Sequence, residues 1–81
     1  MFTDVMVRVV TQGRYKVYVY AEVGGQHHAP HCHVEWTDGS CVVDLDTLVA
    51  LRGNADRRAV EIVSDNIGAI QAVWDLLNPR R

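Results

Sequence analysis

All four histidines of this 81-residue chain fall within seven consecutive positions, 27 to 33. Two of them, His31 and His33, are separated by one residue, and the acidic residues Asp44 and Asp46 follow with the same spacing. Imidazole and carboxylate side chains bind divalent metals such as zinc, and imidazole exchanges protons near neutral pH. These residues therefore raise the hypotheses of a metal site and of an acid/base site.

The two pairs belong to stretches that alternate between apolar and polar residues, HCHVEW (31–36) and CVVDLD (41–46). Asp38-Gly39 lies between them, and Asp-Gly between alternating stretches predicts a β-hairpin. A turn centred there predicts one apolar face: Cys32, Val34, Trp36, Cys41, Val43 and Leu45. The opposite face then carries His31, His33, Glu35, Val42, Asp44 and Asp46.

This register predicts two cross-strand pairs on the polar face. His33 lies opposite Asp44, and His31 lies opposite Asp46, with Cβ atoms about 5 Å apart. That distance allows a histidine–carboxylate hydrogen bond or a shared metal ion.

Several interpretations of the polar face stay open. A divalent metal such as Zn would take these ligands: His31, His33, Asp44 and Asp46, with His27 or His28 as a further one. Alternatively, His31 and His33 are catalytic residues that act as acid and base on a phosphodiester of a nucleotide or RNA. The face would otherwise bind a partner in a pH-dependent way, or be a solvated surface whose ion pairs contribute about 0.2–1 kcal/mol. Whether the chain is an enzyme therefore stays open.

Composition narrows the class of protein. The hydrophobic content is 48% and the net charge is −2, which gives no general attraction to nucleic acid but allows a local basic patch. No apolar run approaches the roughly 20 residues of a membrane span, and the N-terminus does not resemble a signal peptide. Cys32 and Cys41 form no CxxC pair, and the predicted register separates their thiols by about 13 Å, so we expect both to be free. Because free thiols are typical of a reducing compartment, we expect a cytoplasmic location.

The remaining elements must hold this hairpin in place. Residues 5–10 and 15–22 predict a second hairpin that turns at Gln12-Gly13, and their apolar residues on both faces suggest a homo-oligomer. The last third has helical periodicity after a candidate cap at Asn54, and residues 64–68 weaken its middle. We predict a single α+β domain over residues 1–81, with an antiparallel sheet of about four strands and a C-terminal helix or helix pair packed on one face.

Two segments resemble the DUF4160 family of small, mostly bacterial proteins. The family pattern joins an aromatic-rich strand, a loop ending in Pro-Pro-His-x-His-Val, an alternating strand, and a helix with Asn, Leu and Trp positions. Here the motif reads APHCHV (29–34), and the helix is RRAVEIVSDNIGAIQAVWDLLN (57–78). The resemblance covers about residues 14 to 78. Ala29 replaces the first proline of the motif, so we expect a different loop shape before His31.

The resemblance also bears on function, although the family has no established activity. Its members are often encoded beside another small family, which implies a small partner protein and a toxin–antitoxin-like or other regulatory module with RNA or DNA control. We therefore predict a component of such a module that carries a His/Asp surface site. The alternative is a metal- or His-dependent hydrolase that acts on a phosphodiester.

Overall fold

The computed structural model describes residues 6–21, 29–53 and 56–79. Within these ranges the chain forms five strands and then two helices: β1 Met6–Gln12, β2 Tyr15–Tyr20, β3 His31–Trp36, β4 Gly39–Asp44, β5 Ala50–Gly53, α1 Arg57–Asp65 and α2 Ile67–Leu77. The strands pair antiparallel in chain order, so β1 and β5 form the two edges of the sheet. The predicted α+β class is confirmed, with β5 as a strand beyond the four expected.

The first hairpin contains an irregularity that explains why its sequence has apolar residues on both predicted faces. Its turn lies at Gly13-Arg14, one residue beyond the predicted position, and Gly13 adopts a φ of +60° that favours glycine. The pairing shifts between Arg8 and Val10, which inserts Val9 as an extra residue in β1. Val9 and Val10 consequently both pack against the core although they are consecutive.

The predicted register of the second hairpin is wrong by two residues. Trp36 pairs with Gly39, so the turn consists of Thr37 and Asp38. An Asp-Gly tip of the expected type needs positive φ at both residues, whereas neither Asp38 nor Gly39 has a positive φ. Because side chains alternate with a period of two, the shift changes every cross-strand partner but leaves each residue that remains within β3 or β4 on its predicted face.

Both helices pack on one face of the sheet, as predicted. The core contains these residues: Tyr15, Val17, Val19, Cys32, Val34, Cys41, Val43, Leu45, Ala59, Ile62, Val63, Ile70 and Trp74. The helical members recur every three or four positions, which places them on one stripe of each helix. The core stabilises the fold by removing these apolar side chains from water.

The C-terminal segment forms two helices rather than one. The helix α1 begins after Asp56, whose Oδ1 accepts a hydrogen bond from the Ala59 backbone N–H at 3.1 Å; the predicted cap, Asn54, lies outside the described residues. Asn66 separates the helices, and its side-chain amide donates to the Ile62 carbonyl at 2.8 Å. Among the described residues, no helix has the length and apolar character that a membrane span requires.

Candidate functional site

The face of the sheet away from the helices is the outer face. It carries thirteen described residues: Met6, Arg8, Thr11, Lys16, Tyr18, Tyr20, His31, His33, Glu35, Ser40, Val42, Asp44 and Arg52. None of these side chains is fully buried, and the aromatic ones in the middle strands are half-buried. His31 and His33 share this face, as the alternation of β3 predicts.

Four aromatic rings form a continuous cluster at one end of the sheet, which we call the His–Trp cluster: Tyr20, His33, His31 and Trp74. The Tyr20 and His33 ring centroids are 4.6 Å apart in an edge-to-face arrangement, and those of His33 and His31 are 5.4 Å apart. The His31 ring lies 5.1 Å from the ring of Trp74 in α2. The imidazoles therefore pack against aromatic rings, an arrangement that the hairpin alone does not predict.

Local hydrogen bonds explain why His31 holds this position. Its Nδ1–H donates to the Ala29 carbonyl at 2.9 Å, which leaves Nε2 as the unprotonated nitrogen of the neutral ring. The Pro30 carbonyl accepts from the Leu45 backbone N–H at 2.9 Å, so β3 and β4 stay joined just beyond the His31 pair. The Asn78 side-chain amide donates to the Tyr20 carbonyl at 3.2 Å and ties the end of α2 to the same end of the sheet.

Asp44 lies opposite His31, not opposite His33 as predicted, because of the shifted register; His33 pairs with Val42. The Asp44 Oδ1 accepts from the backbone N–H groups of Asp46 at 2.8 Å and Thr47 at 2.9 Å. The Thr47 bond is the main cause that lowers the pKa of the Asp44 carboxyl, and nearby His31 adds a smaller effect. The Asp44 carboxylate therefore stabilises the beginning of the turn between β4 and β5, and Asp44 lies opposite His31.

Asp46 is the predicted site residue that the structure places elsewhere. It follows the end of β4 and lies exposed in the turn, whereas the prediction put it on a strand opposite His31. The reason is the same register shift, which ends β4 at Asp44. The predicted set of two histidines and two aspartates is thus reduced to His31, His33 and Asp44 on the outer face.

The described residues do not assemble a metal site. Within residues 6–21, 29–53 and 56–79, no three His, Cys, Asp or Glu side chains form a group that could hold a metal ion. Zinc sites need three or four such ligands. His27 and His28, the further ligands of the hypothesis, lie outside the described residues, so metal binding with their help stays a prediction.

The shifted register also changes the prediction for the cysteines. Cys32 pairs with Val43 and Cys41 pairs with Val34, so the two cysteines are diagonal neighbours about 7–8 Å apart rather than about 13 Å. Both are buried free thiols, as expected. Burial raises the pKa of Cys32 to about 12 and also raises that of Cys41, which makes both poor nucleophiles.

Sequence reasoning missed the cationic and aromatic residues that surround His33. One row of five outer-face residues crosses the whole sheet: Arg8, Tyr18, His33, Val42 and Arg52. The alternation of YKVYVY in β2 could have revealed Tyr18 and Tyr20 as a pair on one face. No comparable alternation pattern identifies Arg8 and Arg52, because their places in the row depend on pairing across the bulges of β1 and β5.

Comparison with known proteins identifies the family. Neither the curated proteins nor the solved structures provide a match to this chain. The model of a domain of unknown function, DUF4160, matches residues 15–73, a range that includes every strand after β1 and reaches into α2. The match spans the Pro30–Val34 motif that carries the two outer-face histidines. This chain therefore belongs to the DUF4160 family, a domain family of unknown function.

Proposed function

We propose that this chain is a binding component of a small bacterial regulatory module of the toxin–antitoxin kind, and that its outer face is a binding surface. One observation carries the proposal. Half-buried aromatic side chains, among them Tyr18, Tyr20 and His33, cluster on the face that the helices do not cover. Contiguous aromatic surface outside the core is typical of binding sites.

The contacts of the histidines favour binding over proton transfer. His31 donates to the Ala29 carbonyl and packs on Trp74, and His33 packs on Tyr20. Asp44, the carboxylate opposite His31, already accepts two backbone hydrogen bonds of its own turn. These contacts hold the rings in fixed positions, which suits recognition of a partner.

A second surface suits the small partner protein that the family resemblance implies. The edge strand β5 has Leu51 54% exposed, and the adjacent Val49 is 55% exposed. An edge strand with exposed apolar side chains is a template onto which a partner strand can add. We propose that the partner pairs with β5 in the cytoplasm, where the buried thiols of Cys32 and Cys41 would stay reduced.

The opposite edge, β1, offers the same chemistry to a second copy of the chain. Met6 at its start is 49% exposed, and β1 pairs only with β2 within the described sheet. The homo-oligomer therefore stays a prediction for this edge. Light scattering at increasing protein concentration checks it, and a mass that remains that of one chain would contradict it.

Co-expression with a candidate small partner protein of the kind that the family resemblance implies tests the proposed function. The recovered complex is compared for wild type, Leu51→Glu at the β5 edge and His33→Ala on the outer face. Leu76→Glu is the matched control, because Leu76 is also exposed but lies on α2. We expect a stable complex that Leu51→Glu abolishes and Leu76→Glu leaves intact, since a buried charge at a strand-pairing interface is costly.

The outcomes separate the two surfaces. Loss of the complex with Leu51→Glu supports the β5 edge as the protein-binding surface, and loss with His33→Ala would transfer that role to the outer face. If wild type forms no complex, or if all three variants lose the complex equally, the proposal that the chain belongs to such a module is contradicted.

One observation favours a hydrolase as a second candidate. The ring centroids of His31 and His33 lie 5.4 Å apart, so one imidazole could accept a proton while the other donates one at a single phosphodiester. Incubation with labelled oligoribonucleotides tests this, with His31→Ala and His33→Ala each expected to abolish cleavage. Intact substrate after incubation with the wild-type protein would exclude the candidate for these substrates.

A further inference from the structure

Cationic side chains stand at both edges of the outer face. Arg8 in β1 and Arg52 in β5 are exposed and end the row that crosses the sheet through His33. With neighbouring strands about 4.8 Å apart, their Cα atoms are separated by about 19 Å. This span is wide enough to contact several phosphates of an extended chain.

The described residues of this face have a net charge that differs in sign from that of the whole chain. Among residues 6–21, 29–53 and 56–79, its basic residues are Arg8, Lys16 and Arg52, and its acidic residues are Glu35 and Asp44. Glu35 lies directly opposite Lys16, and the Asp44 carboxylate accepts hydrogen bonds from its own turn. The chain as a whole has 8 basic and 10 acidic residues, so a small positive excess among the described residues of this face coexists with a net charge of −2. This local excess makes the face complementary to phosphate groups.

Aromatic rings occupy the middle of the same face. Tyr18 and His33 are cross-strand partners in the row, and Tyr20 packs edge-to-face on His33 at 4.6 Å. Aromatic side chains on a sheet provide stacking surfaces for unpaired bases, as in the common sheet-based RNA-binding modules. A duplex does not offer its base faces in this way, so the arrangement favours a single strand.

We infer that the outer face binds single-stranded nucleic acid, with bases against Tyr18 and the Tyr20–His33 pair and phosphates near Arg8, Lys16 and Arg52. The inference rests on the proposed function, because it names the ligand of the same face. Charge at the edges and aromatic rings between them are the two features that such ligands require together.

Fluorescence anisotropy with labelled oligonucleotides of about 12 residues tests the inference. The probes are oligouridylate, oligothymidylate and a duplex of the same length, measured between about 50 and 200 mM salt. The single strands should bind more tightly than the duplex, and affinity should fall with increasing salt. Either order of RNA and DNA supports the inference, and their ratio identifies the natural ligand class.

The variants compare the outer face with the helix layer. Arg8→Gln combined with Arg52→Gln should reduce the slope of log K against log salt by about 1.4, which corresponds to two lost phosphate contacts. Arg57→Gln combined with Arg58→Gln removes the same charge from α1 and should leave the slope unchanged. Both pairs alter exposed side chains, so the protein should remain folded.

Tyr18 tests the stacking contribution separately from charge. Tyr18→Ala should weaken binding roughly 5- to 150-fold, whereas Tyr18→Phe retains a ring and should change it by less than about threefold. Circular dichroism checks that each variant is folded. If Tyr18→Ala does not fold, the two arginine pairs still test the inference.

Three results would overturn the inference: no binding of either single strand at about 50 mM salt, duplex bound as tightly as single strands, or equal losses from the outer-face and α1 arginine pairs. The co-expression experiment is independent of these probes. A complex that forms with its partner protein while no oligonucleotide binds would refute this inference and leave the proposed module standing.

Discussion

The ring of His31 lies 5.1 Å from the ring of Trp74, which joins the Pro30–Val34 motif to the last turns of α2. These residues belong to the two sequence segments that carry the resemblance to DUF4160. Their contact closes the His–Trp cluster at the end of the sheet. The strand motif and the helix motif thus describe one packed structure.

This contact predicts that Trp74→Phe changes the environment of His31. Phenylalanine has a smaller ring than tryptophan, so the imidazole loses part of the surface on which it packs. The free energy of unfolding should therefore fall by about 1–2 kcal/mol. NMR spectra of the histidine rings should show a shift for His31. Trp36→Phe is the matched control, because Trp36 packs on Tyr15 with centroids 5.5 Å apart, and it should leave the His31 signals unchanged.

Asp56 connects the first hairpin to α1 through two different oxygens. Its Oδ1 caps the helix, and its Oδ2 accepts a hydrogen bond from the Tyr15 hydroxyl at 3.2 Å. Asp56→Ala should therefore lower the free energy of unfolding by about 1–2 kcal/mol, and Tyr15→Phe by about 0.5–1.5 kcal/mol. Urea denaturation of both variants and of the double variant measures their coupling.

In that cycle, Tyr15→Phe should cost less once Asp56 is replaced, because its hydrogen-bond acceptor is already gone. Asp56→Asn keeps an acceptor at the cap and should be closer to wild type than Asp56→Ala. Strictly additive losses would show that the Tyr15–Asp56 bond does not contribute to stability.

Asp44 predicts a pH dependence of stability. Hydrogen bonds to its ionised form lower its folded pKa below the ordinary value of 3.8, so the contribution is complete above that value and is lost as pH falls through the lowered pKa. Asp44→Ala should cost about 1 kcal/mol near neutral pH, a small value because the carboxylate is partly exposed. The difference from wild type should then vanish in strong acid.

Denaturation midpoints measured from neutral to acidic pH check this sign. Asp46→Ala is the control, since Asp46 donates its backbone N–H to the turn while its side chain is exposed. A difference between wild type and Asp44→Ala that grows as pH falls would contradict the assignment.

Two glycines with positive φ should respond differently to alanine. At Gly13, a Cβ would meet no atom within 4 Å, so Gly13→Ala should cost only about 1–2 kcal/mol for the left-handed backbone. At Gly53, with a φ of +85°, a Cβ would collide with the Ser40 carbonyl oxygen and the Cys41 Cα. Gly53→Ala should therefore separate β5 from β4, and hydrogen exchange of the β5 amides should accelerate. Equal exchange in the two variants would contradict this prediction.

Periodicity alone was sufficient for the class of fold and for the faces of the residues within β3 and β4. The alternation of residues 31–36 placed His31 and His33 together on the outer face, and the helical periodicity of the last third agrees with the burial of Ile62, Ile70 and Trp74. These assignments hold because they depend on the local repeat of a strand or a helix. A register error of two residues does not disturb them.

Tertiary structure decided which residues meet across elements. The turn at Thr37-Asp38 placed Asp44 opposite His31 and left Asp46 in a turn, and it brought Cys32 near Cys41. The bulge in β1 and the pairing of β5 then aligned Arg8 and Arg52 with His33. A local sequence pattern specifies the direction of a side chain, whereas its neighbours depend on the pairing and packing of segments distant in the chain, and these follow from the energy of the whole fold.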